Sequence, residues 1–163
     1  MVRIILILSL VALQAAFGAP DYLLGTERYW VRALTYSFFH GNWWHLVVNT
    51  IAVWTIFQPR YKTKPLQFVA AFAIAVLVYP LSLRPAIGFS NILYAILGLR
   101  TPSIKSRWWR QPPVIIFIVI TLAMLFIPRF SATTHIAAFL LGMAGASLKR
   151  LYHVLTKEAR RYL

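Results

Sequence analysis

Sixty per cent of the 163 residues are hydrophobic and only 12% are charged, with a mean hydropathy of +0.69, the composition of a chain solvated mainly by lipid. The absence of cysteine excludes disulfide scaffolds, thiolate metal sites and a cysteine nucleophile. A spanning helix takes about 20 apolar residues, so six spans fill most of the chain and exclude a second, soluble domain; 1–163 reads as one domain, with a core at about 4–149 and a basic tail at about 150–163.

Apolar runs lie at Ile4–Ala19, Trp43–Phe57, Leu66–Leu83, Ile87–Leu99, Val114–Ile127 and Ile136–Leu148, separated by Pro, Gly or basic clusters. The fold class expected is therefore an all-α membrane protein, a polytopic bundle of six transmembrane helices. With the N-terminus inside, the inner segments carry thirteen cations: Arg3; Arg60, Lys62 and Lys64; Arg100, Lys105, Arg107 and Arg110; Lys149, Arg150, Lys157, Arg160 and Arg161. The outer segments carry four, Arg28, Arg32, Arg84 and Arg129, together with the acids Asp21 and Glu27. This alternation is the positive-inside pattern and places both termini in the cytoplasm. It also accounts for the net charge of +14 through lipid headgroups, so membrane lipid rather than nucleic acid is the expected partner.

The first run, with Arg3 ahead of it, has some features of a secretory signal. Cleavage after Ala19 would place Phe17 where a small residue is wanted and Pro20 after the cut, so the run reads as a first span. In the second run His45 and Asn49 are four residues apart and share a helix face. His40, His45 and His135 offer three nitrogens to a metal, but no run holds a carboxylate to support them, and no metal is expected. Imidazole and carboxamide donors on one face instead suit an oxyanion hole, with helix-to-helix hydrogen bonding as the plain alternative.

The fourth run spans 13 residues, roughly 20 Å of helix at 1.5 Å per residue, too short to cross a hydrocarbon layer about 30 Å thick. Its N-terminus must start inside the protein, at mid-membrane depth, where backbone groups are tolerated only if enclosed by protein or facing a wet cavity. Ser90, in Gly88-Phe89-Ser90-Asn91, sits at that start, where first-turn amides and the helix dipole favour negative charge. A Gly-x-Ser is also an ordinary turn and cap, but Tyr94 follows one turn later on the same face, and Leu97/Gly98 continue it with a small residue. The fifth run and the short loops with their prolines are candidates for movement during substrate access. In the sixth, His135, Ala138, Gly142 and Ala146 form one face, a small-residue stripe suited to dock on the Gly/Ser face of the fourth and to bring His135 beside Ser90 as general base.

The stretch Arg32-Ala33-Leu34-Thr35-Tyr36-Ser37-Phe38-Phe39-His40-Gly41-Asn42-Trp43-Trp44-His45-Leu46-Val47-Val48-Asn49 resembles the rhomboid intramembrane serine proteases, whose first loop and second helix carry an Arg, a His and a His-x-x-x-Asn in this order. Gly88-Phe89-Ser90 with Tyr94, and the run from His135 to Gly142, are similar to the family's Gly-x-Ser helix and last-helix His motif. The resemblance extends from Ile4 to about Lys149.

It implies a Ser–His dyad without cofactor. Ser90 would attack a peptide carbonyl and His135 would carry the proton, with Tyr94 packed on the histidine. His45, Asn49 and the Ser90 N–H would stabilise the oxyanion. His40 would belong to the water-accessible surroundings, Gly88 to the Gly-x-Ser turn, and Arg32 to the loop at the outer membrane face. The substrates implied are transmembrane segments of other membrane proteins. The sequence departs from the family pattern at Asn91, where Gly is usual and where a side chain would crowd substrate or add a polar contact near the oxyanion. At Ala138 Gly is also usual, so the helices would sit slightly further apart; Val31 stands where Trp is frequent. An inactive rhomboid-like protein that binds transmembrane clients is the alternative. A transporter or channel is the third reading, disfavoured because no charged pathway or repeat symmetry is visible. The lack of an Arg/Ser-rich presequence favours a bacterial-type plasma membrane.

Overall fold

A computed structural model describes residues 2–18, 29–57, 64–82, 88–101, 112–126 and 132–159. Among them the regular structure is helical: α1 (Val2–Phe17), α2 (Tyr29–Thr35), α3 (Trp43–Ile56), α4 (Pro65–Val78), α5 (Ser90–Arg100), α6 (Pro112–Leu125) and α7 (Ala132–Ala159), with 3-10 turns at Tyr36–Phe38 and Tyr79–Leu81. The six apolar runs correspond to α1 and α3–α7. The short helix α2, in the first connection, is additional. Among the described residues no helix is long and apolar enough to cross a membrane. The loop cations Arg28, Arg60, Lys62, Arg84, Lys105, Arg107, Arg110 and Arg129, the acids Asp21 and Glu27, and Arg160 and Arg161 of the tail lie outside the described residues.

Local sequence sets where the helices start. Asn42 is extended and its side chain accepts the His45 N–H at 2.8 Å, an N-cap that fixes His45 in the first turn of α3 and Asn49 one turn further. Pro65 opens α4, and Gln67 reaches back to accept the Lys64 N–H at 3.0 Å, satisfying a donor the helix itself cannot. Gly88 has φ +127°, a conformation that a side chain rarely adopts, and turns the chain into α5.

α5 is the axis of the bundle. Nine of its 11 residues are buried, and α3, α4 and α7 pack around it. The expectation of a short helix that begins in the interior is met, since Gly88 and Phe89 at its entrance are themselves buried. α7 runs parallel to α5 with backbone against backbone. A Cβ on Gly98 would lie 2.1 Å from the Phe139 carbonyl oxygen, and one on Gly142 would lie 2.4 Å from that of Ala95. Hydrogens at these two glycines are what allow so close an approach. Ala138 is fully buried in the same contact, one turn before Gly142.

Contacts at the helix ends give the directions of the remaining helices. Arg100 Nη1 donates to the Ile56 carbonyl at 2.7 Å, so the C-termini of α3 and α5 meet, while Arg3 lies over the Trp54 ring at 3.7 Å. α4 runs the other way, its Ala75 carbonyl near the start of α5. The consequence is a polarised bundle. The described cations Arg3, Lys64, Arg100, Lys149, Arg150 and Lys157 belong to the end opposite Ser90, and Arg32 is the described cation on the Ser90 side.

Candidate functional site

The dyad expected from two distant motifs is brought together. Ser90 Oγ lies 2.7 Å from His135 Nε2, because the parallel docking of α7 on α5 sets their first turns side by side. Ser90 is half-buried and His135 is 7% exposed, so the pair is shielded yet reachable from one side. The Tyr94 ring, one turn along α5, meets the imidazole edge to face at 4.7 Å. Such a contact adds orientation as well as buried area, and holds the histidine ring against the serine.

Gly88 gathers the second group. A Cβ there would lie 2.6 and 2.7 Å from Cε1 and Nε2 of His45 and 3.5 Å from Nδ2 of Asn49. The imidazole and the carboxamide therefore both face the turn two residues before Ser90. The capped first turn of α3 places them, since His45 and Asn49 are one turn apart. Asn49 Nδ2 also donates to the His45 carbonyl at 3.0 Å, which leaves its second N–H for another acceptor.

His40 departs from expectation. It is fully buried rather than part of a water-accessible surface, and neither ring nitrogen has a hydrogen-bond partner among the described residues. The phenylalanines that precede it explain the burial: Phe38 makes tilted ring contacts with Phe72 and Phe89, Phe39 meets Phe17 edge to face, and together they draw the connection under the helices. The His40 ring meets His45 at 5.2 Å. Burial, with His45 beside it, pushes its imidazole down to about 3, so it stays neutral at physiological pH. Among the described residues no three His, Cys, Asp or Glu side chains converge as metal ligands do.

Asn91 departs too. It neither faces the serine nor crowds it: the side chain is 2% exposed and points into the core, where Nδ2 donates to the Tyr36 hydroxyl at 2.9 Å. Sequence reasoning misses two further residues. Tyr36 joins the first connection to α4 and α5, and Thr121 of α6 hydrogen-bonds the Tyr94 hydroxyl. The signal that could have found Thr121 is a hydroxyl within an otherwise apolar run.

The arrangement pairs a hydroxyl with an imidazole next to two N–H donors at the start of a buried helix, which is a constellation for acyl transfer. The family model described as Rhomboid domain matches residues 27–150. No curated protein and no solved structure matches the chain.

Proposed function

The chain belongs to the rhomboid family of integral membrane proteins, and from that premise we propose that it is an intramembrane serine endopeptidase cutting peptide bonds in or near transmembrane segments. The observation that carries this reading is the 2.7 Å contact of Ser90 Oγ with His135 Nε2. His135 accepts the Ser90 proton as Oγ bonds to the scissile carbonyl carbon, then passes it to the leaving amine. Water, activated by the same imidazole, hydrolyses the acyl-enzyme and frees Ser90. His45, Asn49 and the Ser90 N–H take the oxyanion. A dyad without a carboxylate suffices where positioning and oxyanion stabilisation supply most of the acceleration.

We place the chain across a membrane as one domain, with six spans from α1 and α3–α7 and both termini cytoplasmic. Two observations support this. Large apolar side chains such as Leu8, Ile51, Val69, Leu77 and Val119 are exposed on the outer faces of the helices while His40 and Asn49 are buried, the reverse of a water-soluble surface. The described cations gather at one end, as expected of a cytoplasmic face near anionic lipid. The partners are then transmembrane substrates and lipid, with no cofactor required.

The test is fluorophosphonate labelling of the purified protein, which needs no known substrate. Labelling of wild type that disappears in Ser90→Ala and His135→Ala supports the dyad. A folded wild type that neither labels nor cleaves a generic spanning segment turns the reading to client binding without catalysis.

Cleavage is expected to rise with pH between about 5 and 8, since Nε2 of His135 must be neutral to accept a proton. His40, already neutral throughout that interval, contributes no step. Activity that falls as pH rises across that interval would contradict general-base catalysis. Gly88→Ala is expected to cost about 10²-fold in kcat, because the new Cβ at 2.6 Å must displace the His45 ring and one oxyanion donor with it. Wild-type kcat in that variant would remove His45 from the mechanism.

A further inference from the structure

Tyr36 holds both flanks of Ser90. Its carbonyl accepts the Gly88 N–H at 2.9 Å, two residues before the serine, and its hydroxyl accepts from Asn91 Nδ2 at 2.9 Å, one residue after it. The same hydroxyl donates to the Ala75 carbonyl at 2.7 Å, which ties the assembly to α4. Tyr36 and Asn91 are each 2% exposed, so neither can exchange these partners for water, and the Tyr79 ring against Tyr36 at 4.8 Å fixes the phenol from the other side. Successive helix residues diverge by about 100° around the axis. An anchor at Asn91 therefore controls rotation of the first turn of α5 while leaving the face of Ser90 open.

We propose that Tyr36 and Asn91 are positioning residues for the nucleophile, a buried two-point clamp that sets the rotation of the α5 N-terminus and with it the approach of Ser90 Oγ to His135. The inference rests on the serine-protease reading. In that reading a misplacement of about 1 Å costs on the order of 10²-fold in rate, and a residue with no contact to substrate acts on kcat rather than on KM. The Asn at position 91 is then a working part of this chain's site.

The experiment measures fluorophosphonate labelling rate, kcat and KM on a spanning-segment substrate, and thermal midpoint, for full-length wild type, Asn91→Ala, Tyr36→Phe, the double variant, and Tyr36→Phe/Asn91→Leu. Each single variant is expected to lose about 10- to 100-fold in labelling rate and kcat with KM within about threefold. Asn91→Ala with Tyr36→Phe should be no slower than Tyr36→Phe alone, because loss of the Tyr36 hydroxyl already removes the bond from Asn91 together with the one to Ala75. Tyr36→Phe/Asn91→Leu replaces both polar partners by apolar groups and is expected to recover the thermal midpoint while kcat stays low, an outcome that a merely structural pair would not give. Near-wild-type kcat in Asn91→Ala, or kcat returning together with the midpoint in Tyr36→Phe/Asn91→Leu, overturns the clamp and leaves the protease reading intact. Failure of wild type itself to label or cleave overturns both.

Discussion

Ser90→Ala is expected to abolish fluorophosphonate labelling and to lower substrate cleavage by about 10⁴-fold or more, while the thermal midpoint stays the same or rises slightly. The size follows from chemistry. In the proposed mechanism, removal of Oγ deletes the atom that forms the acyl bond, and the remaining donors at His45, Asn49 and the α5 N-terminus can only polarise a carbonyl for attack by water. The fold is expected to survive because the substitution removes a single half-buried hydrogen bond, Ser90 to His135, while α5 is held along its length by α4 and α7. His135→Ala should match the effect, and the double variant should be no worse than either single change, since the two residues act as one unit. Labelling that persists in Ser90→Ala would place the nucleophile elsewhere and end the dyad reading.

Gly98→Ala has the largest expected effect on folding. The added Cβ would sit 2.1 Å from the Phe139 carbonyl oxygen, 2.9 Å from the Met143 nitrogen and 3.0 Å from the Phe139 carbonyl carbon. All three are backbone atoms of α7, which have no rotamer to change, so the helices must separate by roughly an ångström in an interior that packs like a crystal. Overpacking of this kind costs about 1–3 kcal/mol and occasionally more. The separation also draws His135 away from Ser90, so labelling should fall about 10²-fold in whatever fraction remains folded. Gly145→Ala is the control: its Cβ meets Leu99 Cδ2 at 3.9 Å, an ordinary contact, and thermal midpoint and labelling should both stay near wild type. If Gly98→Ala melts and labels like wild type, α5 and α7 do not meet backbone to backbone.

What is legible in the sequence follows from what one helix can say about itself. Run lengths locate the helices, and the 13 residues of the fourth run are enough to place the start of α5 in the interior. Small residues on the face that continues from His135 announce close contact, because the distance between helices is set by side-chain size and size is written in the sequence. Less legible is what a neighbouring element presents. Nothing in the run Val114–Ile127 says that Thr121 meets Tyr94. A wet His40 is what the family resemblance implies, whereas Phe38 and Phe39 pull this connection inward. Asn91 is a case where geometry within one helix holds the answer. One residue beyond Ser90 is about 100° around the helix, so a side chain there faces the core when Ser90 faces the site.

Ser90 and His135 are 45 residues apart in the chain, and α7 is the last helix described. At about 5–20 residues per second of translation, Ser90 leaves the ribosome a few seconds before His135 is made. Until α7 emerges, α5 also lacks the surface against which Gly98 seats. In the proposed reading the growing chain therefore carries an inert serine until α7 is made, and the order of the two motifs delays proteolytic chemistry until that helix has been released by the insertion machinery.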